Sequence, residues 1–124
     1  MNRMLISAAM LLAMASAALA AAPVMTVSTA KGDVLAGENG MTLYPFRNDK
    51  PGVSNCYDKC ATNWPPLAAA ADAVAEGDYT IVERTDGTKQ WAKGGMPLYF
   101  WVKDTAKGDV TGDGVGGVWD LARP

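Results

Sequence analysis

Two stretches of the chain carry one pattern: GMTLYPFRND at residues 40–49 and GMPLYFWVKD at residues 95–104. The second stretch begins 55 residues after the first, and at the same offset Trp64 aligns with Trp119 without a gap. Self-similarity at a fixed offset is the sequence signature of a repeated structural unit. The chain is therefore predicted to contain two tandem, pseudo-symmetric repeats of 55 residues.

Both repeats have the composition of strands rather than helices. β-branched residues cluster at 26–28 and 80–83, and the Asp86-Gly87 pair favours a tight hairpin turn. The expected strands are residues 26–28, 34–36 and 41–46 in the first repeat and residues 80–83, 89–92 and 96–102 in the second. We therefore expect a small, mainly β domain with antiparallel strands and with repeats at about 24–66 and 79–121.

An Ala-rich linker, residues 67–78, follows Pro65-Pro66 and joins the two repeats. Alanine favours a short helix ending at Gly77, but a helix of this length is marginal in water. The linker is therefore expected to be either a short helix or a plain connection. Another short helix is expected between Asn55 and Ala61, close to the two cysteines.

The first twenty residues have the features of a signal peptide. Arg3 precedes an apolar run at residues 4–19, and Ala18-Leu19-Ala20 offers the small-x-small pattern after which signal peptidases cut. The run is too short for a membrane-spanning helix. We therefore expect residues 1–20 to be removed, leaving residues 21–124 as one soluble domain that is periplasmic or secreted.

Composition argues against several classes of function. The chain has 124 residues, a formal net charge of −2 and no histidine. An acidic chain with scattered lysines is unsuited to nucleic-acid binding, which requires basic surfaces. The absence of histidine removes the commonest general base and metal ligand. No cofactor is predicted from these features.

Aromatic residues and a carboxylate recur at equivalent positions of the two repeats. The motif residues are Tyr44, Phe46, Asp49 and Trp64 in the first repeat and Tyr99, Trp101, Asp104 and Trp119 in the second. In each copy the tyrosine and the ring two positions later share one face of a strand, because side chains alternate along β-structure. Core packing is the preferred interpretation, with each Asp accepting backbone N–H groups where its strand turns. The alternative is a pair of aromatic platforms that bind a sugar or a cationic ligand.

Cys56 and Cys60 are four residues apart and are the only cysteines of the chain. In an exported protein such a pair most simply forms one disulfide, and the spacing suits a helical turn. One alternative is a redox-active dithiol, and another is a Cu(I) site with a thioether ligand from Met41 or Met96. The missing histidine weakens both alternatives, and Cys-x3-Cys is not the Cys-x-x-Cys spacing of redox motifs.

The Gly-rich tail partly resembles a calcium-binding loop. Its candidate ligands are Asp109, Thr111, Asp113 and Asp120. Thr111 stands where such loops carry a carboxylate, and Asp120 stands where they carry a bidentate Glu. A turn-rich loop is therefore the preferred interpretation, and no metal site is predicted.

Catalysis is not predicted. The sequence contains no serine or cysteine paired with histidine, no phosphate-cradling loop and no dinucleotide fingerprint. As equivalent residues, Asp49 and Asp104 could face each other across a pseudo-twofold axis. A carbohydrate-active enzyme would need both carboxylates in one open cleft.

Further marks extend the pattern over nearly all of the chain after residue 20. They are Cys56-x3-Cys60-Ala61-x-x-Trp64-Pro65-Pro66-Leu67, Arg84-x-Asp86-Gly87-Thr88-x-Gln90, Gly95-x-Pro97-Leu98-Tyr99 and Gly108-Asp109-x-x-Gly112-x-Gly114. With the Tyr-x-aromatic-x-x-Asp motif, these marks resemble a bacterial family of secreted repeats and predicted lipoproteins of unknown function. The resemblance implies an exported two-repeat domain and assigns no catalytic residues. Many relatives carry a lipid-anchoring Cys directly after the signal peptide, and since this chain has none there, we expect no lipid anchor.

We therefore expect an exported, non-catalytic binding or envelope-associated module whose ligand and partners the sequence does not identify. The alternative is a periplasmic redox or copper-handling protein that uses Cys56 and Cys60. Free thiols or bound copper in the purified protein would favour the alternative.

Overall fold

The structure is a computed structural model that describes residues 21–124, so the predicted signal peptide lies outside the described residues. The strands are, in chain order, β1 (Val24–Thr29), β2 (Gly32–Gly37), β3 (Tyr44–Pro45), β4 (Ala68–Ala69), β5 (Tyr79–Glu83), β6 (Lys89–Lys93) and β7 (Met96–Tyr99). The helices are α1 (Lys59–Asn63) and a 3-10 helix (Val115–Gly117). No helix within residues 21–124 has the length and apolar character needed to cross a membrane. The prediction of a mainly β fold with one short helix beside the cysteines is confirmed.

All strand pairs in residues 21–124 are antiparallel. β1 and β2 form a hairpin with Val27 opposite Val34. In the second sheet β6 pairs with β4, β5 and β7, and β7 also pairs with β3. β3 and β7 are equivalent strands of the two repeats, and Tyr44 lies directly opposite Tyr99. The repeats therefore meet along their most similar segments, with a pseudo-twofold axis between the two tyrosines.

The third strand of each repeat is shorter than predicted. Residues 96–102 are a strand only as far as Tyr99, and residues 41–46 only at Tyr44–Pro45. The chain turns after each strand, since the N–H of Asp49 donates to the carbonyl of Phe46, and the N–H of Asp104 donates in the same way to Trp101. The second half of the motif therefore forms a turn that points the carboxylate back toward the sheet.

The possible helix in the Ala-rich linker is absent from residues 67–78, and that part of the prediction is wrong. Ala68–Ala69 form strand β4 instead, paired with Gln90 and Lys89 of β6. Leu67 decides the conformation, because its N–H donates to Leu98 and its carbonyl accepts from Trp91. Its side chain is 5% exposed, so burial between two strands outweighs the weak helix propensity of the alanines.

The core has two parts, one on each side of the paired strands β3 and β7. One cluster contains Tyr44, Tyr99 and most of the motif rings, together with Cys56. The other contains Leu43 and Leu98 and packs around Trp91. This division follows from the alternation of side chains along a strand, which sends neighbouring residues to opposite faces.

Candidate functional site

Two tyrosine–aspartate hydrogen bonds connect the repeats reciprocally. The hydroxyl of Tyr44 donates to Asp104 Oδ2 at 2.6 Å, and the hydroxyl of Tyr99 donates to Asp49 Oδ2 at 2.6 Å. Each bond joins a tyrosine of one repeat to an aspartate of the other. Both tyrosines are 0% exposed, and the aspartates are only 6% and 7% exposed. A buried hydroxyl without a partner is costly, so neither repeat can satisfy its own tyrosine alone.

The second oxygen of each carboxylate holds a loop. Asp49 Oδ1 accepts the backbone N–H of Asn55 at 2.7 Å. Asp104 Oδ1 accepts the N–H of Thr111 at 3.0 Å and the hydroxyl of Thr111 at 2.6 Å. The predicted role of these aspartates, to accept backbone N–H groups near a strand end, describes half of what each one does. The other half, the bond to the opposite tyrosine, requires knowledge of how the repeats pack.

Four aromatic rings form a stacked column between the repeats. In order they are Phe46, Trp119, Trp64 and Trp101, with successive ring centroids 4.3, 3.7 and 4.0 Å apart. The rings alternate between the first and the second repeat. Tyr44 meets Trp64 edge-on at 5.3 Å, and Tyr99 meets Trp119 in the same way at 5.2 Å. Stacked and edge-on contacts are the arrangements that aromatic rings prefer, and here they fill the interface between the two halves.

Gly112 is placed where this aromatic cluster leaves no room for a side chain. A Cβ atom at residue 112 would lie 2.8 Å from the Tyr44 ring and 2.9 Å from the Trp64 ring. The N–H of Gly112 donates to the Tyr44 hydroxyl oxygen at 3.2 Å. Glycine is therefore required at this position by the close approach of its backbone.

A buried arginine network, which the sequence interpretation missed, lies beside Tyr99. Arg84 is 4% exposed and donates to Ser54 Oγ at 2.9 Å and to Gln90 Oε1 at 2.7 Å. It also donates to the carbonyl of Cys56 at 2.6 Å. Because the only hydroxyl hydrogen of Tyr99 is directed to Asp49, the 2.6 Å contact of Ser54 with Tyr99 is a bond that Ser54 donates. The spacing Arg84-x-Asp86-Gly87-Thr88-x-Gln90 could have predicted this network. It places Arg84 and Gln90 on either side of one hairpin turn, so that their side chains lie close together.

Burial sets the protonation equilibria of this network. It raises the pKa of Asp49, an effect opposed by hydrogen bonds from Tyr99 and Asn55 and by the positive charge of Arg84. Burial also raises the pKa values of Tyr44 and Tyr99 far above their usual 10.0, and the bonded carboxylates raise them further. Both tyrosines are therefore neutral donors across the physiological pH range.

We expect the protein to lose stability above about pH 10, because the folded state holds the two phenolic protons more tightly than the unfolded chain does. This contribution to the free energy of unfolding is fully present below the ordinary tyrosine pKa and declines as pH rises toward the folded pKa. Urea denaturation at several alkaline pH values measures the decline. The Tyr99→Phe variant should show a shallower decline, and equal slopes in the two proteins would contradict the assignment.

The predicted disulfide between Cys56 and Cys60 is confirmed, with 5.2 Å between the Cα atoms, and residues 21–124 contain no free cysteine. Helix α1 begins only at Lys59, so Cys60 lies in the helix and Cys56 precedes it, and the helical turn predicted between Asn55 and Ala61 is displaced toward the C-terminus. Cu(I) binding would need both sulfurs reduced, whereas a redox-active pair would alternate between this disulfide and the dithiol. Met41 and Met96, the candidate thioether ligands, are each partly buried.

Reduction of the disulfide is expected to lower the free energy of unfolding by about 2 kcal/mol, because a five-residue loop constrains the unfolded chain only slightly. The β core should survive, since its strands lie outside the loop. Urea denaturation with and without a reductant measures the difference. A Cys56→Ala/Cys60→Ala variant serves as the control and should be unaffected by reductant; complete unfolding of the reduced protein would contradict the expectation.

The calcium-loop hypothesis does not hold in the structure, since the four candidate ligands do not converge. Asp109 accepts the N–H groups of Thr105 and Ala106, and Thr111 bonds to Asp104. Asp113 pairs with Lys31 and Asp120 with Arg47. Residues 21–124 contain no group of three or more acidic, cysteine or histidine side chains able to hold a metal ion. The acidic residues of the tail are occupied by turns and surface ion pairs.

No open cleft contains the two motif carboxylates. Asp49 and Asp104 are buried, and each is bonded to a tyrosine and to a loop. An open cavity of about 260 Å³ lies elsewhere, lined by Ala21, Ala22, Glu76, Gly77, Asp78 and Tyr79. None of these lining residues belongs to the motif. The condition for a carbohydrate-active enzyme built on the two aspartates is therefore not met.

A family described as "Secreted repeat of unknown function" matches the chain twice, at residues 25–68 and 80–123. No curated protein and no solved structure matches it. Each matched segment contains one copy of the motif and one ring from the centre of the column, Trp64 or Trp119.

Proposed function

The chain belongs to this family of secreted repeats, and from that membership we propose that it is an exported, non-catalytic module that binds a component of the cell envelope. The proposal has two parts, the absence of catalysis by the motif and the association with the envelope. The geometry of the motif supports the absence of catalysis. Export, together with a surface that the motif leaves free, supports the association with the envelope.

The observation that carries the proposal is the reciprocal bonding of Tyr44 with Asp104 and of Tyr99 with Asp49. Residues that serve catalysis or ligand binding must reach a substrate, whereas these four side chains are buried and bonded to each other. The repeated motif therefore builds the fold and joins the two halves. Binding is therefore left to the outer surface.

We expect export and envelope association of the full chain in a bacterial host with a periplasm. N-terminal sequencing of the product should show cleavage after Ala20. The mature protein should co-sediment with purified peptidoglycan sacculi or with vesicles made from total envelope lipid. A chain lacking residues 2–20 serves as the export control. An uncleaved product in the cytoplasm, or a mature protein that sediments with neither preparation, would refute the proposal.

Variants of the motif distinguish a core role from a ligand platform. Tyr44→Ala and Tyr99→Ala should each lower stability, and envelope binding should fall only in proportion to the unfolded fraction, because both rings are fully buried. Circular dichroism and co-sedimentation at the same temperature measure the two quantities. If either variant remains fully folded and loses binding, the tyrosines are ligand contacts and the proposed division of roles is wrong.

A further inference from the structure

The ring column contains three indoles in continuous stacking contact, and only one of them reaches solvent. Trp101 is partly exposed, whereas Trp64 and Trp119 are each 4% exposed. Indoles are among the side chains most easily oxidised by one electron. The pseudo-equivalent end of the column is Phe46, a ring that is much harder to oxidise. The column therefore has one end at which an electron can leave, and the symmetry of the repeats is broken at that end.

A phenol with its own proton acceptor lies beside the second ring of this path. The edge of Tyr44 meets Trp64 at a centroid distance of 5.3 Å, and its hydroxyl donates to Asp104 at 2.6 Å. A phenol loses an electron readily only when its proton can leave at the same time. Asp104 accepts three donated hydrogen bonds, from Tyr44 and from the N–H and hydroxyl of Thr111, so its oxygens act as acceptors. The bond to Tyr44 has the short donor–acceptor distance that proton transfer requires.

We propose that this column is a one-electron relay that moves an oxidising equivalent from Trp101 to Tyr44. A one-electron oxidant, such as an oxidising radical at the protein surface, removes an electron from the indole of Trp101. The oxidised Trp101 then takes an electron from Trp64. The oxidised Trp64 in turn takes an electron from Tyr44.

The phenolic proton of Tyr44 moves to Asp104 in the last step. One electron has then left the protein, the O–H bond of Tyr44 has broken, and an O–H bond has formed on Asp104. The products are a neutral tyrosyl radical and a protonated Asp104. A small thiol or enediol reductant that supplies one electron through Trp101 reverses each step and returns the proton to Tyr44.

Electrostatics favour movement of the oxidising equivalent from the surface ring, Trp101, toward the interior. The Lys103 ammonium lies 5.8 Å from the centre of the Trp101 ring, so a positive charge on this indole is disfavoured. Asp104 lies beside the far end of the path and favours a positive charge there. Tyr44 is 0% exposed, so the radical forms away from solvent and from other molecules. The relay would protect the exposed indole from irreversible oxidation.

The test uses a variant in which only buried tyrosines remain. The chain has four tyrosines, and a Tyr57→Phe/Tyr79→Phe variant keeps only Tyr44 and Tyr99, which are both 0% exposed. A photogenerated ruthenium(III) polypyridyl complex serves as the one-electron oxidant. Transient absorption and electron paramagnetic resonance distinguish a tyrosyl radical from a tryptophan radical. We expect a tyrosyl radical in this variant, and because the bulky oxidant cannot touch either phenol, this radical reports electron transfer through the protein.

Three further substitutions in that variant locate the path. Trp101→Phe, which copies the ring at the equivalent position of the first repeat, should abolish the tyrosyl radical. Tyr44→Phe should abolish it as well, whereas Tyr99→Phe should leave it. Circular dichroism checks that each variant is folded. A tyrosyl radical that persists without Trp101 or without Tyr44, or one that never forms, would overturn the proposal.

The role of Asp104 has its own readout. In Asp104→Asn the radical should remain on tryptophan, because the amide is a far weaker base than a carboxylate. A second measurement needs no substitution at this buried site. In heavy water the tyrosyl radical should appear more slowly, because a deuteron moves in place of a proton. Equal rates in light and heavy water would show that no proton moves in the rate-determining step, which would contradict loss of the electron and the proton at the same time.

Discussion

Trp119→Ala is expected to lower the free energy of unfolding by about 3–5 kcal/mol, the usual cost of truncating a large buried ring. Trp119 is 4% exposed and lies at the centre of the column, stacked between Trp64 at 3.7 Å and Phe46 at 4.3 Å. It also supports Tyr99 edge-on at 5.2 Å. Urea denaturation monitored by circular dichroism measures the loss. Since domains of this size are stable by about 5–15 kcal/mol, this loss is a large share of the total stability.

The column itself offers matched controls for this prediction. Trp64→Ala should cost as much as Trp119→Ala, because Trp64 occupies the equivalent position and is equally buried. Trp101→Ala should cost distinctly less, since Trp101 is partly exposed and stacks on one ring only. If truncation of Trp101 destabilised the protein as strongly as truncation of Trp119, the centre of the column would not be the main support of the interface.

Arg84→Met is expected to lower the free energy of unfolding by about 3–5 kcal/mol, because it removes one partner from a buried, charged hydrogen-bond network. The substitution leaves Gln90 Oε1 and the Cys56 carbonyl without their donor, whereas Ser54 Oγ keeps the N–H of Cys56. Each buried acceptor without a donor is costly. Asp49 also loses a positive charge that partly offsets its burial. Methionine fills a similar volume, so the loss reports on the polar network rather than on a cavity.

Two substitutions separate the network from charge alone. Arg84→Lys keeps the charge but cannot present the planar guanidinium, so an intermediate loss is expected. Arg47→Met removes an arginine whose ion pair with Asp120 is exposed, and stability should hardly change. A stability of Arg84→Met close to that of the unchanged protein would show that the network is dispensable.

The reciprocal tyrosine–aspartate bonds have a consequence for folding. The Tyr44 hydroxyl is bonded only to Asp104 and Gly112 of the second repeat, and the Tyr99 hydroxyl only to Asp49 and Ser54 of the first. A half of the protein that folded alone would bury a hydroxyl without its acceptor, at a cost comparable to a large part of its stability. The two repeats are therefore expected to unfold together in one cooperative transition.

Local chemistry explains which features the sequence could predict. The disulfide follows from the close spacing of the two cysteines, and the burial of Leu43 and Tyr44 on opposite sides follows from strand alternation. The length of the third strand was overestimated because the motif turns after Phe46 and Trp101. Asn48 and Asp49 in the first turn and Asp104 in the second are residue types common in turns, but the aromatic residues before them extended the predicted strands too far.

By itself the sequence determined that the domain is duplicated, is mainly β and is closed by one local disulfide, because these properties depend on residue spacing and on the pattern of apolar side chains. Only the tertiary structure decided which aspartate bonds to which tyrosine, how the four rings stack and where Arg84 is buried. The physical reason for the exchange of partners is the antiparallel pairing of β3 with β7, which places Tyr44 directly opposite its equivalent Tyr99. The tyrosine of each motif is therefore bonded to the aspartate of the other repeat. The spacing of residues within one repeat cannot predict that partner.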